Sequence, residues 1–117
     1  MSRPTRSQAE KILAEVPFQN RLKAVRMAMP SGMHPADMRS LEEVGWFLEP
    51  MRRTLPGLKL EKLAGWVETH LGDRETAEAI RKIEKNSPSL AEAYRQTWEL
   101  VDARVREARE VLSEYNG

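Results

Sequence analysis

The imidazoles of this chain are two, His34 and His70, and neither lies in a spacing that holds a metal. No Asp or Glu stands three residues before either one, and no second His follows at three or four, so di-iron and zincin patterns are absent. Cysteine is absent too, which removes thiolate ligands, thiol nucleophiles and disulfides. The carboxylates are numerous, but their spacing suits helix ion pairs: Asp102 with Arg106, Glu92 with Arg95, Arg104 with Glu107. Glu42 and Glu43 are adjacent, and helical neighbours point about 100° apart, a poor geometry for an acid–base couple. There is no glycine-rich phosphate loop and no nucleophile elbow. The expectation is a protein without catalytic, metal or cofactor-binding residues, and so not an enzyme.

Aromatic and cationic residues offer binding chemistry instead. Trp98 falls on an apolar stripe and reads as core. Trp46 and Trp66 lie at the margins of their helical faces, where an indole either closes a core edge, by mutual packing for instance, or anchors a partner. The candidate partner-binding residues are therefore Trp46 and Trp66, with Val105, Leu112 and Tyr115 at the end of the chain. Net charge is only +1, yet residues 1–29 hold six Lys/Arg against two acids, while the segment from Ser87 holds four against six. Arg3, Arg6, Lys11, Arg21, Lys23 and Arg26, joined by Arg52 and Arg53, form a candidate basic face for a phosphate backbone. A helix-turn-helix over Leu60 to Ile83 is disfavoured, because Asp73, Glu75 and Glu78 would meet the phosphates first.

The elements that must position these groups read as helices throughout. At 117 residues the chain is expected to form one domain over 1–117, with 1–6 a flexible arm. Sustained alternation is lacking and β-branched residues are few, so no strand is expected. The first helix runs from an N-cap at Ser7 to Val16, and a second from Pro17 carries Phe18, Leu22, Val25 and Met29 to a stop at Pro30-Ser31-Gly32. A third opens at Pro35, is kinked or broken by Pro50 near Glu49, and ends at Pro56-Gly57. Leu60, Leu63, Ala64, Val67 and Leu71 define a fourth helix over about 59–71 with Gly72 as a left-handed C-cap, and Asp73 caps a fifth over 74–85.

The longest element is the last, over 87–115. Leu90, Tyr94, Trp98, Val101, Val105, Ala108, Leu112 and Tyr115 share one face, and the helix spans roughly 42 Å at 1.5 Å per residue. The fold expected is all-α: about five short helices packed against one long C-terminal helix. No apolar run is long enough for a membrane span and no secretory signal is visible, which points to the cytoplasm. Two functional expectations follow. The first is a non-enzymatic interaction or assembly subunit that meets a protein partner, or a second copy, through the C-terminal helix. The alternative is an accessory nucleic-acid-binding subunit that uses the basic N-terminal face.

Overall fold

A computed structural model describes residues 1–28, 30–50 and 54–116 of the chain. Its elements are α1 (Arg6–Leu13), a 3-10 turn (Phe18–Asn20), β1 (Leu22–Ala28), β2 (Gly32–Met38), α2 (Leu41–Leu48), β3 (Thr54–Gly57), α3 (Leu60–Leu71), α4 (Arg74–Asn86) and α5 (Leu90–Asn116). The fold is mixed α/β, which corrects the all-α expectation: five helices accompany a three-stranded antiparallel sheet of order β2-β1-β3.

The helical body follows from local chemistry. Thr5 caps α1 with a full capping box, its Oγ1 accepting from Gln8 N–H at 3.2 Å while Gln8 Oε1 accepts from Thr5 N–H at 2.8 Å. The helix thus starts before the expected cap at Ser7, and it ends at Leu13 rather than Val16, whose N–H bonds Arg39 O at 2.8 Å. Ser40 caps α2, and the helix stops at Leu48 because Pro50 holds Glu49 extended. The break expected near Glu49 is present. Gly72, at φ +65°, closes α3 in the left-handed region that an L side chain resists. Asp73 caps α4 and Ser89 Oγ accepts from Glu92 N–H at 3.2 Å to open α5. The residues read as the fourth, fifth and last helices are helical, as expected.

The second expected helix is absent, and of the third, expected over 35–48, only Leu41–Leu48 is helical, as α2. Residues 22–28 and 32–38 are a hairpin, paired from Leu22↔Met38 to Ala28↔Gly32, with Gly32 at φ +92° beside the turn. Pro30-Ser31-Gly32 is therefore a hairpin turn rather than a helix stop, and Pro35 lies in mid-strand opposite Val25. Pro56-Gly57 belongs to β3, which pairs with β1 from Val25↔Gly57 to Ala28↔Thr54. A Cβ on Gly57 would sit 2.6 Å from Val25 O, so this register requires glycine there. Both edge strands carry a proline, Pro35 and Pro56, each lacking the N–H that an added strand would use.

The long helix α5 is the spine on which α1, α2 and α4 pack, and α3 packs on α4. Its buried stripe includes Ala93, Thr97, Val101, Val105, Ala108 and Val111. The end of α5 expected to meet a partner packs against α1 and the N-terminal arm, with Tyr115 left 60% exposed. Ser2 bonds Glu75 through its N–H at 2.9 Å and its hydroxyl at 2.8 Å, and Arg3 pairs with Glu114, so residues 1–5 are docked on the body. The sheet joins that body through few apolar residues, chiefly Leu22, Met38 and Leu58, and through side-chain straps to backbone carbonyls. Tyr94 Oη donates to Leu58 O at 2.9 Å, Trp66 Nε1 to Asn20 O at 2.7 Å and Arg26 Nη2 to Phe47 O at 2.9 Å.

Candidate functional site

The groove between α2 and α5 gathers the exposed aromatic chemistry of the helical body. Along α2, Val44, Phe47 and Leu48 turn inward, and Trp46 is left 60% exposed. Gly45 faces α5 closely: a Cβ there would lie 3.6 Å from Val101 Cγ1. Between the two helices lies a groove of about 380 Å³ lined by Gly45, Trp46, Glu49, Trp98, Asp102 and Val105. Its cations are already matched. Arg109 pairs with Glu42, and Arg106 Nη2 lies 3.0 Å from Asp102 Oδ2. Glu49 carries no ion pair or hydrogen bond among the described residues, and it stands at the C-terminal end of α2, where helix carbonyls add negative potential.

The other expected partner-binding residues are placed differently. Trp66 is a core residue, 6% exposed, with its N–H on Asn20 O; it does not pack on Trp46 as a way of hiding both. Val105 is buried, lining the groove floor, and Leu112 is half-buried against the core. Tyr115 is exposed, with the Arg6 guanidinium 5.1 Å from its ring centroid.

The expected basic face is divided among several places. Arg3 and Arg6 lie beside the end of α5, Arg3 held by Glu114, which raises its pKa, and Arg6 by Glu10 at 3.4 Å. Lys11 is on α1, its stem near Gly72. Arg26 turns to α2, its guanidinium 4.8 Å from the Phe47 ring centroid. Arg52 and Arg53 lie outside the described residues. Arg21 and Lys23 share another surface, along α3, in the company of Lys62, Thr69 and His70. His34 is exposed on β2, with Ser31 Oγ 3.0 Å from its Nε2. Among the described residues no three His, Asp or Glu converge as a metal site, and no helix is long and apolar enough to cross a membrane.

Sequence reasoning missed the most constrained charged group of the molecule. Arg104, 2% exposed, donates to Asp73 through Nε at 2.9 Å and Nη2 at 3.2 Å, while Nη1 reaches Ser2 O and Glu107 Oε1, each at 2.8 Å. Asp73 also accepts from Thr76 N–H at 3.1 Å and Thr76 Oγ1 at 2.5 Å. Burial pushes the Asp73 carboxyl up, but the Arg104 and Thr76 hydrogen bonds outweigh it and leave the pKa below the usual value. The arginine stays protonated against the same burial. All five guanidinium donors cannot be assigned from spacing: Arg104 and Glu107 read as an ordinary surface pair, and Asp73 only as a cap. The one sequence signal was Arg104 lying among Val101, Val105 and Ala108, on the margin of the buried stripe. This cluster is structural, since every partner is a neighbouring part of the chain itself. Compared with known protein families, characterised proteins and solved structures, the chain matches none.

Proposed function

We propose that this protein is a non-enzymatic interaction subunit that receives a segment of a partner protein in the groove between α2 and α5. The observation that carries this reading is Trp46: a large indole left mostly in water, beside Trp98 and above a floor of Gly45 and Val105. Buried aromatic anchors dominate protein interfaces, and an exposed indole on a concave surface is positioned to become one. The groove's charge defines the partner. Both arginines face carboxylates, which leaves Glu49 and the carbonyl end of α2 as the uncompensated charge. The segment that fits places an apolar residue against the indoles and a neighbouring Lys or Arg toward Glu49, where the ammonium or guanidinium also meets a π face. Self-pairing through the sheet is disfavoured by Pro35 and Pro56 on the two edges.

Selection of peptides from a displayed random library against the full-length protein tests this reading. Enriched sequences should carry a Lys or Arg within a few residues of an aromatic or aliphatic anchor. Their affinity should fall at least tenfold in Trp46→Ala and in Glu49→Lys, with thermal unfolding of Trp46→Ala unchanged because the side chain is mostly exposed. Enrichment of peptides without a cation, or binding indifferent to Trp46→Ala, would overturn it.

A further inference from the structure

We infer that the surface formed by the Phe18–Asn20 turn, β1 and the start of α3 binds single-stranded nucleic acid. Two neighbouring depressions share Lys23 and Lys62 and so form one continuous surface. Their cations are Arg21, Lys23, Lys59 and Lys62, and no Asp or Glu lines either depression. The carboxylates nearest in register or sequence are Asp37, Glu43 and Glu61. Glu43 is held by Arg39 at 2.8 Å, Glu61 by Arg81 at 3.3 Å, and Asp37 stands opposite Lys23 on β2. Among the described residues none of the four cations forms an ion pair, although Arg21 lies near enough to Glu43 to help hold its pKa down and Lys62 Nζ donates to Lys23 O at 2.7 Å.

The second observation is Phe18. It is 69% exposed, yet its backbone is fixed, because Asn20 N–H donates to Pro17 O at 2.9 Å and the Trp66 indole clamps Asn20 O to α3. The Arg21 guanidinium lies 4.7 Å from the Phe18 ring centroid, and its Nε is buried without a hydrogen-bond partner among the described residues. An exposed aromatic ring on a fixed backbone beside cations that form no ion pair among the described residues is the arrangement on which a base stacks while its phosphates lie along the lysines. Stacking needs an unpaired base, so the inferred ligand is a single strand rather than a duplex. The amides of Gln19 and Asn20 and the Thr69 hydroxyl offer hydrogen bonds along the same path. This surface and the α2–α5 groove share no residue, and the inference stands independently of that reading.

The test is fluorescence anisotropy of the full-length protein with a labelled fifteen-nucleotide thymidine strand, across a series of salt concentrations. Four phosphate contacts predict a log–log salt slope of about −3 for a single strand. Phe18→Ala should weaken binding about tenfold with that slope unchanged, as expected for one lost stack. Lys59→Glu should weaken binding and flatten the slope; Lys59 is the N-cap of α3, where the helix dipole favours a carboxylate, and unchanged thermal unfolding shows that misfolding does not mimic the loss. Lys85→Glu changes net charge equally at an exposed position on α4 that lines neither depression and should leave affinity within twofold. Equal affinity for a duplex of the same length, tighter binding to phosphatidylserine vesicles than to the strand, indifference to Phe18→Ala, or no binding at 50 mM salt would each overturn the inference.

Discussion

The junction of Asp73 with Arg104 and the surface around Arg21 treat the same side chain in opposite ways. Arg104 lies inside the body with a bidentate carboxylate, a carbonyl and a second carboxylate on its donors. Arg21 is half-buried, rests on an aromatic ring, and leaves Nε without an acceptor among the described residues. The first arrangement ties the N-terminal arm, the α3–α4 turn and α5 together and leaves nothing for a ligand. In the second, no ion pair holds the guanidinium among the described residues. Charge that is matched internally indicates a structural role, and charge left unmatched on a rigid support indicates a binding one.

The largest expected effect breaks the structural member of this comparison. Asp73→Ala removes the α4 cap and strands a buried guanidinium, and should destabilise the protein by about 3–5 kcal/mol in denaturant unfolding. The reversal of cost should appear in the double variant Asp73→Leu with Arg104→Met, which leaves no charge unpaired and should be more stable than Asp73→Ala alone. Acid offers the same test without mutation. Because the folded Asp73 pKa lies below its unfolded value of about 3.9, its contribution is complete above that pH and is lost as pH falls through the folded value. Stability of the natural protein should thus drop below about pH 4 more steeply than that of Asp73→Asn, measured by urea unfolding at each pH. Parallel profiles would show that the pair contributes no pH-dependent stability.

Gly57→Ala tests the sheet end. With Val25 O at 2.6 Å from the new Cβ, β1 and β3 must separate, at a cost of roughly 1–3 kcal/mol. Hydrogen exchange should localise the loss to β1 and β3 and leave the amides of α4 and α5 protected, because the sheet meets the body through only a few side chains. Uniform loss of protection across α5 would instead make the sheet and the helical body one cooperative unit.

The same division marks how much the sequence discloses. In α3, α4 and α5 the apolar period, the Gly72 stop and the Asp73 cap all act locally, and each is visible in its own segment. The hairpin is invisible by the same reading. Phe18, Leu22, Val25 and Met29 mimic a helical period, while the body-facing positions of β1 after Leu22 are Ala24, Arg26 and Ala28, too small or too polar to display alternation. Prolines at 35 and 56 read as helix punctuation although they occupy edge strands, and what makes β1 a strand is pairing with β2 across a tight turn and with the more distant β3. The same distance hid the cationic surface: Trp46 was visible as a boundary indole, but Lys59 and Lys62 meet Arg21 and Lys23 only once the sheet exists.

The smallest effect connects the two regions through Trp66, whose indole belongs to the core of α3 but whose N–H holds the turn that displays Phe18 and Arg21. Trp66→Phe keeps an aromatic ring in the core and removes the donor to Asn20 O, which should cost about 1 kcal/mol in stability. If the clamp serves only packing, strand affinity will be unchanged at temperatures where the variant is fully folded. If it holds the Phe18 ring in place for a ligand, affinity should fall two- to threefold with an unaltered salt slope, because the phosphate contacts of Arg21, Lys23, Lys59 and Lys62 do not depend on it. A slope that flattens would mean instead that the turn positions the lysines as well, and that the cationic surface and its aromatic platform are a single device.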